Sequence, residues 1–175
     1  MEILHTPWRR KYVVSARDYR GCLFCNILSE QTPDRERFIL KRGQHALLML
    51  NAFPYTPGHL MAVPYRHLAK STALEADELA ELFDLAGLGE RLLRRCYGCR
   101  SVHVGANLGR AAGAGVPDHL HLHVVARPES PLYERCQQAH EPPEAVEETY
   151  SRMCKTLEET GETERSRGTT PVDPY

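Results

Sequence analysis

The sequence predicts an α+β fold of about five strands, one long helix and a C-terminal helix. Three observations predict it. The run His119-Leu120-His121-Leu122-His123-Val124-Val125 alternates polar and apolar residues, the period of a strand with two unlike faces. Leu74, Leu79, Leu82, Leu85 and Leu92 recur at a helical period. Short apolar runs bounded by Gly and Pro read as further strands.

The segments follow in order. Met1 to Gly21 is basic and aromatic, with Trp8, Arg9, Arg10, Lys11, Tyr12 and Tyr19, and reads as an arm packed on the domain. Arg37 to Arg42 reads as a strand, Gly43-Gln44 as a tight turn, and His45 to Asn51 as the second strand of a hairpin. Pro54 to Gly58 is a loop, and His59 to Tyr65 an apolar strand. Thr72 is suited to cap the long helix, with Glu75 completing a capping box, and the leucine period runs to about Cys96. Gly87 and Gly89 each weaken that helix by roughly 1 kcal/mol against Ala. Ser101 to Asn107 is the next strand, Gly105 to Gly115 a glycine-rich loop, and the histidine strand follows. Pro142 to Leu157 predicts a terminal helix, with Pro143 in its first turn. From Glu158 the chain is polar. Residues 1–160 are expected to form one domain with its arm, and residues 161–175 a polar tail that is mobile unless it docks on a partner subunit. There is no internal repeat.

At 175 residues and 19.9 kDa a single domain can bury a real core. Hydrophobic residues make up 42% and charged residues 26%, as in ordinary globular proteins. The 22 basic and 23 acidic residues leave a formal charge of −1, so no global field favours nucleic acid or an anionic membrane. Met1 to Arg10 lacks an apolar core of signal-peptide length, and no apolar run is long enough to span a bilayer. A cytoplasmic protein is expected, without nucleic-acid or membrane partners. The six cysteines then read as thiols or metal ligands rather than disulfides.

Three histidines on one strand face make a reactive or metal-binding surface, because imidazole serves as base, acid, nucleophile or ligand near neutral pH. The glycine-rich loop just before them can turn backbone N–H groups towards an anion. Alone such a loop says little; ahead of H-x-H-x-H it suggests phosphate held beside the imidazoles. His59 opens its strand and His67 lies just past its end, and each taken alone also reads as a plain surface histidine. Cys22-Leu23-Phe24-Cys25 suggests either zinc or a thioredoxin-like redox pair. The redox reading wants the motif after a strand and at a helix start. A basic aromatic arm precedes it here, so zinc is preferred, with histidines supplying the remaining ligands.

The sequence resembles the histidine triad (HIT) family of nucleotide hydrolases and transferases. The resemblance runs from Trp8 to about Arg127. It rests on Pro7-Trp8-Arg9, the C-x-x-C, Pro57-Gly58-His59, Pro64-Tyr65-Arg66-His67, Gly105-x-Asn107-x-Gly109, Ala112-Gly113 and the three alternating histidines. Within the family it resembles prokaryotic zinc-containing proteins similar to dinucleoside polyphosphate hydrolases and phosphorylases. The resemblance implies a HIT-like fold, a mostly antiparallel sheet, and a homodimer. It implies that His121 is the nucleophile attacking an α-phosphorus, that His123 contacts phosphoryl and bridging atoms, and that His59 is a second phosphate-side histidine. It also implies that Asn51 takes a ribose-contacting position and that Asn107, Gly113 and Gly115 bind phosphate. Cys22, Cys25, His67 and His119 would hold a structural zinc, with His45 a spare candidate. Cys96-Tyr97-Gly98-Cys99, with His103 nearby, reads as ordinary thiols, and Cys136 and Cys154 as structural.

Two departures bear on substrate choice. Gly115-Val116-Pro117 stands where relatives often have glutamine or serine, and Ala126-Arg127-Pro128 where close relatives have Pro-Arg-Trp. The implied function is cleavage of a nucleoside phosphate derivative, a dinucleoside polyphosphate or a nucleoside phosphoramidate, through a nucleotidyl-histidine. A nucleotidyltransferase to a metabolite acceptor and a non-catalytic nucleotide-binding adaptor are the alternatives.

Overall fold

The computed structural model describes residues 21–127 and 144–161. The N-terminal arm, Cys136, Pro142, Pro143 and the tail beyond Gly161 lie outside those residues. Among the described residues five strands form one antiparallel sheet: β1 (Ile39–Arg42), β2 (Ala46–Leu50), β3 (Leu60–Pro64), β4 (Val102–Gly105) and β5 (Leu122–Ala126), in the order β1-β2-β3-β5-β4. Among the described residues three helices accompany it: α1 (Leu23–Ser29), α2 (Ala76–Tyr97) and α3 (Val146–Thr160). The expected α+β architecture, with one long helix and a C-terminal helix, is the one observed.

Strands β2, β3 and β5 are buried at every position, because the sheet is covered on both faces. On one face Leu48, Leu50, Leu60, Leu122 and Val124 pack with Leu82, Leu92 and Leu93 of α2 and Met153 and Leu157 of α3. On the other, Leu47, Met49, Met61 and Val63 pack with Ile39 and with Phe24 of α1. Each fully buried Leu among these is worth about 2 kcal/mol relative to exposure. The register sets Met61 opposite His123 and Leu60 opposite Val124. His123 therefore shares the α1 face with Met61, and Val124 joins the main core, as the alternation predicts.

Several boundaries differ from expectation. The long helix begins four residues later than Thr72. Ser71–Ala73 forms a 3-10 turn, and Leu74 is extended at φ −70, ψ 141. Glu75 is the N-cap instead, in a reciprocal capping box with Glu78. Leu79 does not join the core and is 44% exposed, as is Phe83 at 55%. The first strand starts at Ile39, since Asp34–Arg37 is a 3-10 turn closed by Phe38 at φ 55. The last helix starts at Val146 after an extended Ala145 (φ −66, ψ 147). Among the described residues no helix is long and apolar enough to cross a membrane.

Candidate active site and metal cluster

Two turns set the histidines. Gly58 sits at φ +77, and a Cβ there would lie 2.6 Å from Leu93 Cδ2, so glycine is required before His59. His59 is thereby delivered to the start of β3 at 0% exposure. The other turn precedes β5, where His119 and Leu120 enter the fold and Leu120 donates its N–H to Leu68 O at 2.6 Å.

The hydrogen bonds assign the tautomers. A carbonyl only accepts, so His121 Nδ1, 2.9 Å from His119 O, carries the proton and leaves Nε2 with its lone pair. His119 Nε2 lies 2.9 Å from Pro64 O and must also be protonated, freeing Nδ1 as a ligand. The Tyr55 N–H donates to His59 Nδ1 at 3.1 Å, so His59 carries its proton on Nε2 and donates to His123 Nδ1 at 2.9 Å. His123 then keeps its own proton on Nε2. Neighbouring rings thus differ: His121 presents a basic nitrogen and His123 a donor. Burial pushes the His121 imidazole below its ordinary pKa, against the opposing pull of the His119 carbonyl, and favours the neutral ring.

His121 and His123 line a cleft of about 1380 Å³, with ring centroids 4.7 Å apart. Asn51, Gly113 and Gly115 line the same cleft. Asn51 Oδ1 is engaged by the Phe53 N–H at 2.9 Å. Asn107 lies beside Gly113, whose Cβ position would be 3.9 Å from Asn107 Nδ2. His59 is brought to the site from behind, wholly buried against His123.

Cys22, Cys25, His67 and His119 converge, with their donor atoms all within 4.8 Å of one another. Cys22 Sγ is 3.3 Å and Cys25 Sγ 3.6 Å from His119 Nδ1, and Cys25 Sγ is 3.2 Å from His67 Nδ1. Tetrahedral zinc with Zn–S about 2.3 Å and Zn–N about 2.0 Å places sulfur and nitrogen about 3.5 Å apart. Two thiols and two imidazoles at these spacings fit zinc, and the Pro64 carbonyl orients His119 as an outer partner should. Burial, then the neighbouring Cys22, raises the Cys25 thiol pKa, and a bound cation would reverse this. Cys22 caps α1, so the motif does stand at a helix start as a redox pair would. The two histidines beside it are what a redox pair does not need. Among the described residues this is the one group of three or more such ligands, so neither His45 nor the Cys96, Cys99 and His103 set forms another. Cys96 instead meets Thr156 Oγ1 at 3.2 Å, and Cys99 is buried. Among the described residues no cysteine is in a disulfide.

Sequence reasoning missed two aromatic residues. Phe24 sits 5.3 Å from His119 and 5.0 Å from His121, ring to ring. Tyr55 stacks on His59 at 4.7 Å. The only signal for Phe24 was its place inside the C-x-x-C; Tyr55 had none beyond lying four residues before His59.

The HIT domain family model matches residues 32–130. An "AP-4-A phosphorylase" from Mycobacterium tuberculosis is 36% identical over 135 residues, covering 73% of this chain and 68% of that protein. Among solved structures, a Zn-bound histidine triad family protein from Mycobacterium smegmatis superimposes with TM-score 0.65 at 24% identity, covering 82% of this chain and 98% of that one. Plasmodium falciparum diadenosine triphosphate hydrolase superimposes with TM-score 0.59 at 15% identity, over 86% and 98% of the two chains. At these identities the structural likenesses speak for the fold alone.

Proposed function

The chain belongs to the HIT domain family, and from that premise we propose that it cleaves a nucleoside phosphate derivative at the α-phosphorus through a nucleotidyl-His121 intermediate. The observation that carries this reading is the bond from His121 Nδ1 to the His119 carbonyl, which leaves Nε2 basic in the cleft. Attack by Nε2 forms an N–P bond while the bond from phosphorus to the leaving group breaks. The charge left on the ring lies on the Nδ1–H already bonded to a carbonyl. A departing phosphate is a stable anion and needs a hydrogen bond rather than a proton, which His123 Nε2–H supplies. Water or inorganic phosphate then attacks phosphorus, the N–P bond breaks, and His121 is regenerated.

His59 acts here as a positioning residue, since it is buried behind His123 and fixes which His123 nitrogen carries the proton. Asn51 suits a ribose hydroxyl through its Nδ2, and the Asn107–Gly115 loop suits phosphate oxygens. Zinc held by Cys22, Cys25, His67 and His119 would be structural and would pin α1 to the catalytic strand. The M. tuberculosis relative supports a dinucleoside polyphosphate as substrate and phosphate as acceptor.

The test is a panel of dinucleoside polyphosphates, nucleoside phosphoramidates and nucleotide sugars, with and without phosphate, read by mass. Water yields a nucleoside monophosphate, phosphate yields a diphosphate, and a metabolite acceptor yields a conjugate that would favour the transferase alternative. Protein trapped during turnover without acid should carry a nucleotidyl adduct, lost in His121→Ala. Binding of nucleotides without turnover on any member of the panel would leave the adaptor reading in its place.

A further inference from the structure

The wall beside the proposed nucleophile does not come from the sheet. It is Phe24, carried on a helix whose first turn belongs to the metal cluster. Cys22 caps α1 and Cys25 lies in its first turn, so α1 is tied to His67 and His119 at the end that bears Phe24. The Phe24 ring is 2% exposed and touches both His119 and His121. Helix α1 is only seven residues long and has no side-chain N-cap bond. A helix this short is marginal by itself, so its position depends on what anchors it.

We propose that Phe24 is a positioning residue that couples metal occupancy to the orientation of the His121 ring, an inference that rests on His121 being the nucleophile. With Cys22 and Cys25 bound, α1 is fixed, and Phe24 closes one side of His121 while Nδ1 stays on the His119 carbonyl. With the cysteines released, α1 shifts, Phe24 withdraws, and the ring reaches other rotamers and water. A second route exists in principle. His119 is both a candidate ligand and the residue whose carbonyl holds His121, so a metal acts on His121 through that backbone as well. Variants of Phe24 separate the two routes.

The experiment uses the full chain, labelled with 15N-histidine, zinc-loaded or stripped with a chelator. Long-range 1H–15N spectra report the His121 tautomer. Zinc-loaded wild type shows one Nδ1–H form, and stripping averages it. Phe24→Ala gives the averaged form while still holding about one zinc per chain. Phe24→Leu recovers part of the single form. In turnover, kcat of Phe24→Ala falls about 10-fold or more with KM within about 2-fold, because misplacement affects the reacting atom rather than nucleotide binding. Stripping zinc from Phe24→Ala adds little further loss.

A folded, zinc-loaded Phe24→Ala with the wild-type His121 spectrum overturns the proposal. So does zinc removal that disturbs His121 equally in Phe24→Ala and wild type, which assigns the coupling to the His119 backbone. Where Phe24→Ala does not fold, Phe24→Leu and Phe24→Met are held to the same two criteria. If the chain turns over no nucleotide, the proposed function fails, while the spectra still decide whether metal and His121 are coupled through Phe24.

Discussion

His59 Nε2 lies 2.9 Å from His123 Nδ1, and the Tyr55 N–H already occupies the other His59 nitrogen. His59 is thus committed on both sides and has no exposed surface. Replacing it with Ala removes the donor that fixes the His123 proton on Nε2, without touching His121. The expected result is a fall in kcat of roughly 100- to 1000-fold, the range for one lost preorganised donor, with KM little changed. The cavity left under Tyr55 also costs stability, measurable by urea denaturation. Unchanged kcat would remove His59 from the mechanism.

The sheet, the core face of the histidine strand and the cysteine half of the Cys22, Cys25, His67 and His119 cluster were legible because each rests on a local pattern: alternation, Gly or Pro boundaries, and the C-x-x-C spacing. His67 and His119 join through the family resemblance, since they lie far from the cysteines in sequence. The helix start was misread for an instructive reason. Two capping boxes overlap, Thr72 with Glu75 and Glu75 with Glu78, and intrinsic preference favours the Thr. Arg66 decides between them. It donates to Glu78 Oε1 at 2.9 Å and to Ala73 O at 2.6 Å, holding the earlier turn out of the helix. Phe24 and Tyr55 were illegible because their roles depend on which rings they meet across the fold, and generic aromatic residues carry no spacing signal. His59 was read as a phosphate-side residue, but sequence alone cannot tell the cleft side of His123 from the buried side.

That cap predicts a pH dependence. The Arg66 guanidinium, and then the Glu75 N–H, lower the Glu78 pKa from 4.5 to about 2. A depressed folded-state pKa contributes stability that is full above about 4.5 and is lost as pH falls towards 2. Arg66 is 47% exposed, so solvent screens much of the pair and the loss is small. Glu78→Gln should lower the melting temperature at pH 7 and flatten the acid limb between pH 4.5 and 2. An acid limb identical to wild type would place the lost charge elsewhere.

Gly89 is a packing requirement inside α2. A Cβ there would lie 3.0 Å from Leu60 Cδ1 and 3.5 Å from both Leu48 Cδ1 and Val124 Cγ1. The glycine that weakens the helix lets it approach three strands at once. Gly89→Val should destabilise the fold by about 1–3 kcal/mol through overpacking. Gly87→Ala is the control, since its Cβ would meet only Arg91 Nη1 at 3.7 Å, and it should gain up to about 1 kcal/mol of helix propensity. Equal effects of the two substitutions in thermal unfolding would contradict this packing.

Metal removal should act on the fold as well as on turnover. Cys22, Cys25, His67 and His119 come from α1 and its cap, the turn after β3, and the turn before β5, so one bound ion would cross-link segments up to 97 residues apart in sequence. Elemental analysis of freshly purified protein is expected to give about one zinc per chain, with Cys25→Ser or His67→Ala lowering that figure. Loss of the ion removes the binding free energy that the folded state gains over the unfolded one, so chelator-treated protein should melt at a lower temperature and recover on adding zinc. The main core against α2 does not include these four residues. Stripped protein should therefore keep its long helix by circular dichroism while α1 becomes accessible to proteolysis. Zinc-free protein that melts at the same temperature, with α1 equally protected, would show that packing alone holds that helix and that the four ligands do not form a structural site.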